Sequence, residues 1–138
     1  MKIYFGIKYY EDCSNRENIE EILSLLESKG YETYCVVRDM EDWGDYQYQP
    51  EQLMKETFEQ IDKADILLIE FSEKGTGLGI EAGYGYAKSK PIIIIAKEGA
   101  EISKTLEGIS TKIIAYRDIN DLESKLHKVI EQQINTYK

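Results

Sequence analysis

Histidine and cysteine are almost missing from this chain, which has one of the first, His127, and two of the second, Cys13 and Cys35. The cysteines lack the close spacing of a metal site and stand far from the histidine, which argues against a structural zinc centre. Ser72 and Cys13 have no histidine near them in the chain, so a nucleophilic triad has no base. Two cysteines fit a reducing compartment, with a disulfide between them the less favoured reading. Long apolar runs are also lacking. The longest, Pro91–Ala96, is strand-sized, against the ~18 residues of a membrane span. The opening MKIYFGI leads straight into a strand pattern rather than a signal-peptide layout. A cytoplasmic location with no membrane partner is expected. Positive charge is short as well: 17 Lys and Arg against 26 Asp and Glu give a net charge of −9. That field repels phosphate backbones and argues against a nucleic-acid polymer as partner. A small anionic ligand stays compatible, because a local cluster of donors can oppose the overall field.

What remains suits a single domain over 1–138. The 138 residues can bury a real core, and 42% hydrophobic against 31% charged residues is a globular balance. Lys2–Ile7 reads as a first strand. Ser14 with Glu17 three residues on forms a capping box, so a helix is expected from there, with Ile19, Ile22, Leu23 and Leu26 as its apolar stripe and Gly30 at its end. Tyr31–Val37 reads as a second strand, followed by an acidic, aromatic loop, Arg38–Gln49, with Trp43, Tyr46 and Tyr48. A loop of that length is expected to close over a ligand or pack on a neighbouring subunit. Pro50 opens a helix whose face is Leu53, Met54, Phe58 and Ile61. Ala64–Glu70 and Pro91–Ala96 are unbroken apolar strands, flanking a helix expected over Ile80–Ser89. A short helix near Ile102–Leu106, a strand at Lys112–Tyr116 and a last helix from Asp118 complete the pattern. Alternating strands and helices imply right-handed crossovers and a parallel sheet. The expected class is α/β, a flavodoxin-like, doubly wound five-stranded sheet of order 2-1-3-4-5 between two helical layers. Its ligand crevice lies outside the carboxyl ends of strands 1 and 3.

One segment aims at that crevice. Ala64–Pro91 runs from an apolar strand through Gly75-Thr76-Gly77-Leu78-Gly79 into a helix that carries Glu81. It is no Walker loop, since no Lys-Ser/Thr pair follows, and its spacing is not that of a dinucleotide fingerprint. Glycines permit positive φ and close approach, and a helix N-terminus offers free N–H groups. In a first helical turn Glu81 is expected to stay ionised, suited to attack an electrophilic carbon. Spacing alone equally describes an acid that decorates a helix start.

The segment resembles the nucleoside 2-deoxyribosyltransferase family, which includes the 2′-deoxynucleoside 5′-phosphate N-hydrolases. The shared pattern runs from Ala64-Asp65 through Gly77-x-Gly79-x-Glu81-x-Gly83 to Lys90-Pro91, with Ile3-Tyr4-Phe5-Gly6 matching the family's first strand. The resemblance implies cleavage of an N-glycosidic bond, with Glu81 as nucleophile on the anomeric carbon and Tyr4 holding it in place. It also implies no metal or organic cofactor, a nucleoside or nucleotide substrate, and a homodimer or larger assembly. Three positions depart from the family pattern. Thr57 stands where an aspartate assists the departing base, Gly75 where Asp or Ser is usual, and Lys8-Tyr9-Tyr10 where a Ser/Arg loop binds phosphate. Glu56, Asp62 and the loop Asp39–Asp45 are the candidate replacements for the acid. Gly6, Lys8, Tyr9, Glu70, Gly75, Gly77 and Gly79 are the candidate substrate contacts. Arg16 reads as surface charge, and Asp65 as structural. A non-catalytic nucleotide-binding module and an NAD-type glycohydrolase remain open as alternatives on the same scaffold.

Overall fold

The computed structural model describes residues 1–136. Five strands, β1 (Lys2–Ile7), β2 (Glu32–Tyr34), β3 (Ile66–Glu70), β4 (Ile92–Lys97) and β5 (Lys112–Tyr116), pair in the order β2-β1-β3-β4-β5, every pair parallel. Six helices connect or cover them: α1 (Arg16–Ser28), α2 (Val36–Asp39), α3 (Pro50–Lys63), α4 (Thr76–Ala87), α5 (Lys104–Ile109) and α6 (Ile119–Thr136). This is the expected doubly wound arrangement.

Side-chain alternation along the strands divides the core in two. Ile3 and Phe5 of β1, with Ile66 and Leu68 of β3, pack under α1 and α6. Tyr4, Leu67 and Ile69 pack on the other face, against Ile61 of α3 and Leu78 and Ala82 of α4. Both faces of the central strands are dry, which is why β3 and β4 are apolar without a break.

Local chemistry decides several boundaries differently from the sequence pattern. The capping box of Ser14 and Glu17 does not form; Asn15 takes the N-cap position, without a side-chain bond into the helix. Its amide instead braces the β1–α1 loop, accepting from the Tyr10 N–H (3.0 Å) and donating to the Lys8 carbonyl (2.7 Å). Strand β2 ends at Tyr34, short of Val37, because Asp39 folds back on Cys35. The Asp39 carboxylate accepts from the Cys35 N–H at 2.8 Å, and the Asp39 N–H donates to the Cys35 carbonyl at 2.7 Å. That closes α2 inside the segment expected as strand and loop. A 3-10 turn, Asp42–Gly44, follows with left-handed backbone at Asp42, Trp43 and Gly44.

Helix α4 begins at Thr76, well before Ile80. None of its glycines, nor Gly75, takes a positive φ. The glycine-rich stretch is the first turn of the helix, not a loop before it. Gly85 supplies the close approach: a Cβ there would stand 2.4 Å from Cδ2 of Leu67, so the backbone of α4 rests directly on the Leu67 side chain of β3. At the far end of the sheet the Asp65 carboxylate accepts from the Lys2 N–H at 2.8 Å and fixes the start of β3 beside β1.

Candidate active site

A cavity of about 390 Å³ opens at the carboxyl end of β1, where the strand order reverses. Its size falls within the ~300–1,000 Å³ range of small-molecule sites. Four parts of the chain line it: β1 and its loop (Tyr4, Gly6, Lys8, Tyr9), the turn after β2 (Val36, Glu41), α3 (Leu53, Thr57) and the start of α4 (Gly75, Gly77, Glu81).

Tyr4 and Glu81 meet because alternation turns the even residues of β1 toward α4. The Tyr4 hydroxyl donates to Oε1 of Glu81. Gly6, next on the same face, leaves the space that the carboxylate uses. A Cβ at position 6 would lie 3.4 Å from Oε2 of Glu81 and 2.9 Å from Cδ1 of Ile69. Protein surrounds Glu81 on most sides, yet the residue stays partly exposed through the cavity.

Burial pushes the Glu81 carboxyl up to about 7; the Tyr4 hydrogen bond acts against the rise, and the nearby charge of Glu41 adds to it. This corrects the expectation of an acid kept ionised by a helix terminus. Glu81 lies beyond the first turn of a helix that starts at Thr76, and desolvation outweighs the dipole. Burial and the neighbouring Glu81 hold the Tyr4 phenol well above its ordinary value, so it remains a donor.

Lys8 is the only cation among the described residues lining the cavity. Its Nζ is half exposed, 3.9 Å from a Glu73 oxygen, a distance at which the pair contributes little. Its Cδ lies 4.0 Å from the place a Cβ on Gly75 would occupy, so the lysine stem runs alongside the glycine. Tyr9 packs edge-on against Trp43 (5.7 Å between centroids), and the Arg16 guanidinium covers Trp43 at 4.4 Å. Arg16 also pairs with Glu20 at 2.6 Å, so it is engaged away from the cavity. The loop expected as a lid is therefore pinned by its tryptophan to the loop after β1.

Two candidate contacts lie elsewhere. Glu70 points to the opposite face of the sheet from Tyr4, as its place next to Ile69 in β3 requires. There it accepts from the Ser72 N–H (2.6 Å) and hydroxyl (2.8 Å) and from the Tyr116 hydroxyl. Gly79 lines a neighbouring hollow with Phe71, Ser103 and Leu106, on the far side of the first α4 turn. Of the candidate replacement acids, Glu56 and Asp62 do not line the cavity, whereas Glu41 of the Asp39–Asp45 loop does. Sequence reading gave that loop no single residue, because irregular backbone carries no periodicity to say which side chain turns inward.

The family profile for nucleoside 2-deoxyribosyltransferase matches residues 3–129. A relative from Thermofilum pendens, provisionally named 2′-deoxynucleoside 5′-phosphate N-hydrolase 1, is 28% identical over 142 aligned positions that cover 98% of this chain and 99% of its own. The CMP N-glycosidase BcmB of Clostridium botulinum superposes with a TM-score of 0.72 at 21% identity, covering 94% of this chain and 99% of that one. The 2-deoxyribosyltransferase of Bacillus psychrosaccharolyticus gives 0.73 at 18% identity over 89% of this chain and 90% of that one. A profile match over nearly the whole chain establishes that this protein belongs to the nucleoside 2-deoxyribosyltransferase family, enzymes that act on glycosidic bonds.

Proposed function

We propose that this enzyme cleaves the N-glycosidic bond of 2′-deoxynucleosides or their 5′-monophosphates, with Glu81 as the nucleophile. The observation that carries the proposal is a carboxylate inside a small-molecule cavity, oriented by a phenolic donor. In the first step an oxygen of Glu81 bonds to C1′ as the C1′–N bond breaks, and the bonding pair leaves with the base. In the second, water or another base attacks C1′ and releases the glutamate. Water gives hydrolysis; a second base gives transfer.

Tyr4 holds one oxygen of Glu81 and so leaves the other free to attack. Gly6 keeps that second oxygen unobstructed. Gly75 and Gly77 bring backbone N–H groups at the start of α4 within reach of substrate oxygens, since the first amides of a helix have no carbonyl one turn back. Lys8 places a positive charge at the cavity edge, where an anionic 5′ group would seat, and Tyr9 offers a ring face to the base.

Release of free base from a panel of deoxynucleosides and their monophosphates tests this directly. Glu81→Ala should lower turnover by at least ~10³-fold while substrate binding persists. Equal turnover by both proteins overturns the assignment. Tight binding without turnover in the wild type would support a binding module instead, the alternative that Thr57 and Gly75 favour.

A further inference from the structure

We propose that Glu41 is the acid that protonates the departing base, an inference that rests on the glycosidic reading above. A nucleobase leaves poorly as an anion, so a proton must reach one of its ring heteroatoms as the C1′–N bond breaks. Thr57, on α3, lines the cavity at the position where an acid would serve, but its hydroxyl does not give up a proton near neutral pH. The described residues that line the cavity include only two carboxylates, Glu81 and Glu41. The other titratable groups there are unsuited. The Tyr4 hydroxyl is committed to Glu81, the Tyr9 phenol is raised above its ordinary value chiefly by the neighbouring Cys13, the Cys35 thiol is pushed up to about 12 by burial, and Lys8 sits at the edge beside Glu73.

The backbone of Glu41 is also held in place. Its N–H donates to the Val36 carbonyl at 3.0 Å, and its own carbonyl accepts from the N–H groups of Gly44 (3.0 Å) and Tyr46 (2.9 Å). The turn after α2 is thus a fixed platform rather than a loose loop. Burial raises the Glu41 carboxyl above its ordinary range, and a base filling the cavity removes more water from it. The charge of Glu41 adds to the rise at Glu81, so a proton on Glu41 favours the ionised, attacking form of Glu81.

The steps balance. Glu41 gives its proton to the base as the bonding pair leaves C1′ and Glu81 forms the ester. The Glu41 carboxylate then takes a proton from the water that attacks C1′, and Glu81 departs as carboxylate.

The test compares wild type, Glu41→Gln and Glu41→Asp on analogues of whichever base the wild type releases, substituted to grade the acidity of the leaving base. The expected result is a ~10²–10⁴-fold loss for Glu41→Gln on the parent base, shrinking below ~10-fold on the most acidic leaving group. Glu41→Asp should retain the shallow wild-type dependence and so report on chemistry if the amide variant folds poorly. No loss, or the same loss across the series, overturns the role of Glu41 and leaves Glu81 standing. Absence of base release by wild type, or full activity of Glu81→Ala, overturns both.

Discussion

Glu70 and Glu81 are two acids near the carboxyl edge of the same sheet, and they have opposite surroundings. Glu70 is buried and its hydrogen bonds are closed: backbone N–H and hydroxyl of Ser72 on one side, Tyr116 on the other. Ser72 passes the connection on, its hydroxyl accepting from the Lys97 N–H at 2.9 Å, so that one carboxylate ties together the ends of β3, β4 and β5. Among the described residues Glu81 has one donor, Tyr4, and it otherwise faces a cavity. A carboxylate with its acceptors filled stabilises the structure it sits in. One with an oxygen left open toward a hollow is available for chemistry. The sheet separates the two roles: alternation turns Glu70 to the face opposite Tyr4, and Glu81 reaches Tyr4 from α4 on the other.

The contrast is sharpened most by removing the phenol. Tyr4→Phe deletes the only donor to Glu81 among the described residues and should lower turnover by roughly 10- to 100-fold, the loss of one hydrogen bond to a charged group. An unchanged rate constant would mean that the cavity walls orient Glu81 without it. Glu70→Gln should do the reverse. It trades a charged acceptor for an amide among donors, and chemical denaturation should show a loss of about 1–3 kcal/mol with turnover altered only slightly. A large fall in turnover at unchanged stability would break the distinction.

The smallest effect is in the pH dependence of stability. The Glu81 carboxyl moves from 4.5 to about 7 on folding, so the fold binds this proton more tightly than the unfolded chain. Its contribution is therefore complete below about pH 4.5 and fades as pH rises through about 7. Glu81→Gln is neutral throughout and should show a smaller drop in melting temperature between about pH 5 and about pH 8 than wild type. Parallel curves would place Glu81 in water.

What could be read in advance follows from where the information lies. Strands β1 and β5 stand where their patterns put them, because each depends on periodicity within one segment, and the strict alternation of strands and helices limits a parallel sheet to few orders, of which this is one. The meeting of Tyr4 with the Gly-x-Gly-x-Glu-x-Gly segment was legible through family likeness. The misplaced features depend on partners distant in the fold or on competing local bonds. Ser14 lost its capping role to Asn15. Asp39 ended β2 early. Glu70 looked like a site residue because it sits at the correct strand end, and only pairing on the formed sheet shows which face it takes. Glu41 carried no signal of its own. Its backbone is held by bonds to Val36, Gly44 and Tyr46, among residues without regular periodicity.

Gly85 has a consequence for the chemistry that its own bareness conceals. It lies one helical turn after Glu81, on the same side of α4. With no side chain of its own at that point, the helix rests on the Leu67 side chain, and that contact sets how deep the axis of α4 sinks. The helix works as a depth gauge. A single methyl group at position 85 would raise it and draw the carboxylate at position 81 back from the phenol below, detuning the site from outside its own walls.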